Sequence, residues 1–212
     1  MSKIQVKPEH YFNLKYDSKA RWISYWYQIN EVLNLKPKNI LEIGIGNKTV
    51  SDYLKKLGFE TVTCDFDKSL KPDVVGNVMK LPFKKNSFDL VLCAEVLEHL
   101  PFEKFPKALR EIKRVSRHSV VITLPHFSIT NLYFALKIIP FIPRKEIMVK
   151  VDFPIKHVFS AEHYWEIGKK SFSVSKVRAK IKNCGFFIEK DYYPKENPYH
   201  HFFILKKSKN GN

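Results

Sequence analysis

Two glycines one residue apart, Gly44 and Gly46, close the run NILEIGIGNKTVSD between Asn39 and Asp52. A strand ending in such a pair lets main chain approach a ligand closely, because neither position carries a Cβ. Asp65 follows about 20 residues later, where a carboxylate can accept both hydroxyls of an adenosine ribose. Asp67 is its neighbouring competitor, and either acid suits the cap of the helix that follows. The same stretch argues against two nucleotide sites. A dinucleotide fingerprint needs a third glycine where Thr49 stands, and a phosphate-cradling loop needs a G-K-[ST] sequence that does not follow. Alone, the remaining G-x-G fits a tight turn as well as a ligand site.

The elements that must position these residues alternate along the chain. Ser18 to Leu35 places Trp22, Trp26, Ile29 and Leu33 at helical spacing behind a serine cap, predicting an amphipathic helix. Ile40 to Ile45 is apolar apart from Glu42, as a central parallel strand is. A helix over Thr49 to Leu57 stops at Gly58, and Glu60 to Phe66 is a second strand ending in an acid. Strands at Asp73 to Val75, Asp89 to Ala94 and Ser119 to Leu124 follow, with a helix over Phe102 to Val115. This alternation predicts an α/β fold: a Rossmann-like, doubly wound, mostly parallel sheet. After a helix over Ser173 to Asn183, strands Gly185 to Tyr193 and Tyr199 to Lys207 are joined by a link too short for a crossover. They predict an antiparallel hairpin at the sheet edge.

A chain of 212 residues, 44% hydrophobic and 14% aromatic, suits one globular domain and is too apolar for disorder. We expect residues 1–35 to form an N-terminal helical cap and 127–172 an insertion over the site. Cys64, Cys93 and Cys184 show neither C-x-x-C pairing nor zinc spacing, which reads as reduced core thiols. The start has no apolar signal-peptide core, and Ile129 to Ile142 is too short for a bilayer span, so the expected location is cytoplasmic. The net charge of +16 comes from lysines spread along the chain without a run. It attracts phosphate without specifying a nucleic acid partner.

Three segments carry a family resemblance: Asn39 to Asp52, Thr61 to Asp67, and above all Asn77 to Leu100 (NVMKLPFKKNSFDLVLCAEVLEHL). Continuing through ALREIKRV (108–115) to Pro125, they resemble class I S-adenosylmethionine-dependent methyltransferases of the type 11-like group that acts on small molecules. The resemblance implies a seven-stranded sheet closed by the C-terminal hairpin, with S-adenosylmethionine as cofactor. It implies that Glu42, Gly44 and Gly46 border the methionine end of the cofactor. Asp65 would hold the ribose, Phe66 would pack on the adenine, and Asn77 and Val78 would contact that ring. Cys93, Ala94 and Glu95 would lie beside the methionine moiety or the acceptor. Lys48 and Asn77 depart from the family, which usually has a small residue and an acid there.

A sulfonium methyl needs an oriented nucleophile more than a base, yet O- and N-acceptors have protons to lose, and histidine suits that near neutral pH. His99, His126, His157 and His163 are the candidates. His126 directly follows Leu124 and Pro125 at the ligand-binding edge of the fifth strand, and is the expected substrate-side base. A histidine bonded to backbone is the competing reading, and the same alternative holds for His99 in EVLEHL. In the insertion, HYWEIGKK (163–170) offers Tyr164 and Trp165 for stacking, with Glu166 beside the lysines for hydroxyls or an anion. Aromatic packing of a helical lid accounts for the same residues. His126 and Glu166 are the catalytic candidates, and a small molecule or glycan intermediate is the expected acceptor. RNA methylation is disfavoured because Ala94-Glu95-Val96-Leu97 stands where exocyclic-nitrogen RNA enzymes carry Asn/Asp-Pro-Pro-aromatic. A noncatalytic cofactor-binding protein is a third reading. Peripheral membrane contact through Leu132 to Ile142 and the flanking basic residues is a further possibility.

Overall fold

The structure is a computed structural model that describes residues 7–138, 142–151, 155–159 and 162–208. The first six residues of the expected cap, and 139–141, 152–154, 160 and 161 of the insertion, lie outside them. Seven strands form one sheet in the order β3-β2-β1-β4-β5-β9-β8. They are β1 (Asn39–Ile43), β2 (Glu60–Asp65), β3 (Val74–Val75), β4 (Phe88–Ala94), β5 (Ser116–Pro125), β8 (Phe186–Tyr192) and β9 (His200–Lys207). Pairing is parallel from β3 to β5, and β9 runs antiparallel to both β5 and β8. The doubly wound architecture and its closing hairpin follow the expectation.

Helices α1 (Lys19–Leu35), α2 (Thr49–Lys56), α3 (Phe105–Val115) and α4 (Val174–Asn183) cover the sheet. Helix α3 buries Phe105, Ala108, Leu109, Ile112 and Val115, one face at helical spacing. The three cysteines are free and buried, as read from the sequence.

Two expectations need correction. The tryptophan stripe of α1 faces outward: Trp22, Trp26 and Leu33 are exposed, while Ser24, Tyr25, Gln28, Glu31 and Val32 are buried. The helix is turned by polar pairing, because Glu31 accepts hydrogen bonds from the Lys190 ammonium and the Tyr192 hydroxyl of β8. Apolar spacing on α1 therefore did not identify its core face. Second, the insertion carries no helical lid among the described residues. It opens with a two-stranded antiparallel ribbon, β6 (Thr130–Ile138) and β7 (Ile142–Val151), outside the main sheet. Residues 162–172 then run back along the main domain, where Ile167 bridges His126.

Candidate active site

The C-terminal ends of β1, β2, β4 and β5 converge at one edge. Asp65, the last residue of β2, accepts the main-chain N–H of Ile45 on Oδ2 (3.0 Å) and that of Asp67 on Oδ1 (2.9 Å). Burial pushes the Asp65 carboxyl up in spite of those two amides. Asp67 has the capping role, accepting the Ser69 N–H at 2.8 Å. The two acids left open by the sequence are thereby separated.

Gly44 has φ +77°, and a Cβ on it would collide with the Val96 side chain in the turn after β4. The fold itself requires glycine there, before any ligand is considered. Gly46 has φ +48°, and a Cβ on it would stand 3.3 Å from Tyr16 Oη and 3.5 Å from Tyr11 Cδ1. Beneath the glycines, Glu42 is buried, its Oε2 makes no hydrogen bond, and burial pushes its carboxyl up to about 7. Phe66 exposes 44% of its surface beside Asp65. Asn77 Oδ1 accepts the Met79 N–H at 2.8 Å, so this amide also shapes its own turn. Val78 packs in the core, and Cys93 is wholly buried in the same cluster, which also holds Leu41, Ile43 and Leu97. Lys48 adopts φ +64° at the start of α2, where Asn47 Oδ1 accepts the Thr49 N–H.

On the other half of the edge, Glu95 has φ +53°, accepts the Thr123 hydroxyl at 2.8 Å and faces His200 Nε2 at 3.5 Å. The turn Leu97–His99 follows, a single 3-10 turn. His126 is buried, and its N–H donates to the Tyr199 carbonyl at 2.6 Å. Its ring Nδ1 lies 3.0 Å from His201 Nδ1, and His201 Nε2 lies 3.0 Å from Asp191. Glu166 instead pairs with His163 at 3.0 Å. Burial would push the Glu166 carboxyl up, but His163 and Lys169 hold it low. The two catalytic candidates thus belong to different hydrogen-bond networks.

Trp165 corrects another expectation. Its ring is fully buried, donates Nε1–H to the Leu100 carbonyl at 3.0 Å, and meets Phe102 and Phe105 edge-on at 4.8 and 5.2 Å. It is core and offers no stacking surface. Tyr164, 39% exposed, packs against Phe159.

Sequence reasoning missed the N-terminal segment's part in the site. Tyr11 and Tyr16 sit edge-to-face at 5.3 Å over the glycine turn, and Arg21 of α1 lies 4.6 Å from the Tyr16 ring centre. Burial pushes the Tyr11 hydroxyl up, with Tyr16 and Asp65 adding to the effect. Although burial opposes its charge, Tyr16 and Glu95 hold the Arg21 guanidinium charged. The aromatic residues Tyr11, Phe12 and Tyr16 ahead of the cap were the only signal, and they carried no periodicity.

Residues 41–123 match the model of a family described as a methyltransferase domain. Over nearly the whole chain the fold is similar to the 1,6-didemethyltoxoflavin-N1-methyltransferase of Burkholderia thailandensis, solved with 1,6-didemethyltoxoflavin and S-adenosylhomocysteine. The TM-score is 0.63 at 13% identity, covering 94% of this chain and 84% of that one. This is the class I S-adenosylmethionine-dependent methyltransferase fold. The magnesium protoporphyrin IX methyltransferase of Synechocystis, solved with S-adenosylhomocysteine, shares it at TM-score 0.61 and 12% identity, with 89% and 84% coverage. In sequence, the demethylmenaquinone methyltransferase of Corynebacterium efficiens is 35% identical over 107 residues, 46% of this chain and 46% of the relative. The norajmaline N-methyltransferase of Rauvolfia serpentina is 31% identical over 115 residues, 46% of this chain and 38% of the relative. The matches thus span less than half the length of these curated relatives.

Proposed function

We propose that the chain binds S-adenosylmethionine at the ends of β1 and β2 and directs methyl transfer to a small-molecule or glycan-intermediate acceptor. One observation carries the reading: a buried Glu42 carboxylate with an unpartnered oxygen beneath the two positive-φ glycines. A buried carboxylate in want of a donor suits an ammonium group, here that of the cofactor's methionine end. Asp65 is held by two amides with its second lone pairs left for ribose hydroxyls, and half-exposed Phe66 offers a face to the adenine. Val78 and Asn77 border that ring.

When bound, the cofactor supplies an activated sulfonium methyl. The chain's own task is to orient an acceptor and exclude water. Tyr11, Tyr16 and Arg21 close the site from the N-terminal side, while Glu95 and His200 border it from the ends of β4 and β9. His126, buried and tied to His201, stands at the β5 edge as the substrate-side candidate, and Glu166 orients His163 in the inserted segment. S-adenosylhomocysteine binding and methyl transfer from radiolabelled cofactor, measured separately, test the reading. Binding without transfer to any acceptor would favour a noncatalytic role, and transfer to RNA alone would redirect it to nucleic acid.

A second reading concerns the acceptor's setting. The β6–β7 ribbon exposes Leu132, Phe134 and Leu136 on one strand and Ile147, Val149 and Val151 on the other. Apolar residues on both strands of a projecting ribbon suit contact with a membrane surface that holds an apolar acceptor. No helix among the described residues is long and apolar enough to cross a membrane. Sedimentation with anionic vesicles, lost on Phe134→Ser with Ile147→Ser, checks this reading.

A further inference from the structure

Glu98 is a carboxylate that the methyl-transfer reading does not use. It is fully buried, and neither oxygen has a hydrogen-bond partner. A buried carboxylate is normally paired, hydrogen-bonded or bound to a metal. Two imidazoles approach it equally. His99 Nε2 and His163 Nε2 each lie 3.9 Å from Glu98 Oε1, too far for a hydrogen bond. The three donor atoms all lie within 4.8 Å of one another.

The outer nitrogens of both rings are engaged. His99 Nδ1 is 2.8 Å from the Glu162 carbonyl, and His163 Nδ1 is 3.0 Å from Glu166 Oε1. A carbonyl only accepts, so the proton of His99 is assigned to Nδ1 and the Nε2 lone pair is turned toward Glu98. The Glu166 carboxylate fixes His163 the same way. An imidazole whose far nitrogen donates to a carbonyl or carboxylate, presenting its other lone pair inward, is the usual arrangement of a metal ligand.

We propose that Glu98, His99 and His163 bind a first-row divalent cation, with Glu162 and Glu166 orienting the two imidazoles. Two nitrogens and one carboxylate oxygen suit zinc, and equally manganese or iron(II). Donors on a tetrahedral ion with bonds of about 2.0–2.1 Å stand about 3.4 Å apart, so side-chain rotations that close the two 3.9 Å gaps by roughly half an ångström, and the imidazole pair from within 4.8 Å, complete the site. His163 comes from the inserted segment and Glu98 and His99 from the turn after β4, so the cation would pin the insertion to the sheet edge. Three protein donors leave a position for an oxygen ligand, water or an acceptor hydroxyl. That use rests on the methyl-transfer reading; the cation itself does not.

The test uses the full chain, dialysed against EDTA and titrated with Zn2+ and, separately, Mn2+ against a chromophoric chelator. Bound metal is counted by mass spectrometry. About one equivalent of at least one of these ions is expected. His163→Ala and His99→Ala should lose it, and Glu98→Gln should weaken it at least tenfold. Glu166→Gln leaves the three ligands in place and should weaken binding about 10–100-fold. His118→Ala, on the surface, should change nothing. Melting curves without metal identify any variant that fails to fold, and Glu166→Gln then decides. No stoichiometric uptake of either ion by the wild type, or equal uptake by the folded variants, overturns the proposal whatever the outcome for cofactor binding.

Discussion

Asp65 Oδ2 accepts the main-chain N–H of Ile45 at 3.0 Å, and this bond ties the end of β2 to the glycine turn of β1. The acid that would meet the ribose is thereby fixed to the loop that would meet the methionine end. A side chain so anchored is ordered before a ligand arrives, which lowers the entropy lost on binding.

Gly44→Ala should cost stability even without ligand. Positive φ for a residue with a Cβ costs about 1–2 kcal/mol, and overpacking against Val96 adds about 1–3 kcal/mol. Val96→Ala in the same chain should return the second part and leave the first. Urea denaturation of the two single variants and the double variant measures the coupling. Additive losses would show that Val96 is not what Gly44 makes room for.

The buried Glu42 carboxyl predicts a pH dependence. Its folded pKa of about 7 lies above the unfolded value, so between about pH 4.5 and 7 the folded state holds more protons. Its contribution to stability is greatest below that window and is lost as pH rises through 7. Glu42→Gln should flatten that part of the stability profile. Binding a cofactor ammonium favours the ionised form, so cofactor affinity should rise with pH across the same range in the wild type and not in Glu42→Gln. Parallel profiles for the two proteins would remove Glu42 from the site.

Trp165 and Tyr164 are adjacent, and the structure gives them opposite fates. Trp165→Ala should cost about 3–5 kcal/mol, as for a large core ring, whereas Tyr164→Ala should stay within about 0.5 kcal/mol. Thermal unfolding of both compares them directly. A tolerated Trp165→Ala would mean that the ring is not core.

The sheet was legible because its strands are apolar runs closed by glycines and acids, and because Pro194 to Pro198 is too short for anything but a hairpin. The place of Asp65 at the end of β2 was legible for the same local reason. The surroundings of His126 were not: its place after β5 was legible, but partners from β9 and the loop before it, His201 and Tyr199, decide that its ring is buried. The ribbon β6–β7 was not legible as paired strands because apolar residues in a short run fit either period. The outward tryptophans of α1 reflect long-range pairing of Glu31 with β8, which no spacing rule contains. Glu98 and His99 stood in view within EVLEHL, but His163, which gives them meaning, lies 64 positions beyond His99 and meets them only in the fold.

Calorimetric titration with S-adenosylhomocysteine, comparing the wild type with Asp65→Ala, tests whether the ends of β1 and β2 hold the cofactor. One binding site is expected in the wild type, and a loss of about 1–3 kcal/mol in the variant, as charge-assisted hydrogen bonds to the ribose are removed. A melting curve confirms that the variant, which also loses the Ile45 and Asp67 contacts, remains folded at the titration temperature. No binding by the wild type, or equal affinity in a folded Asp65→Ala protein, would contradict that placement.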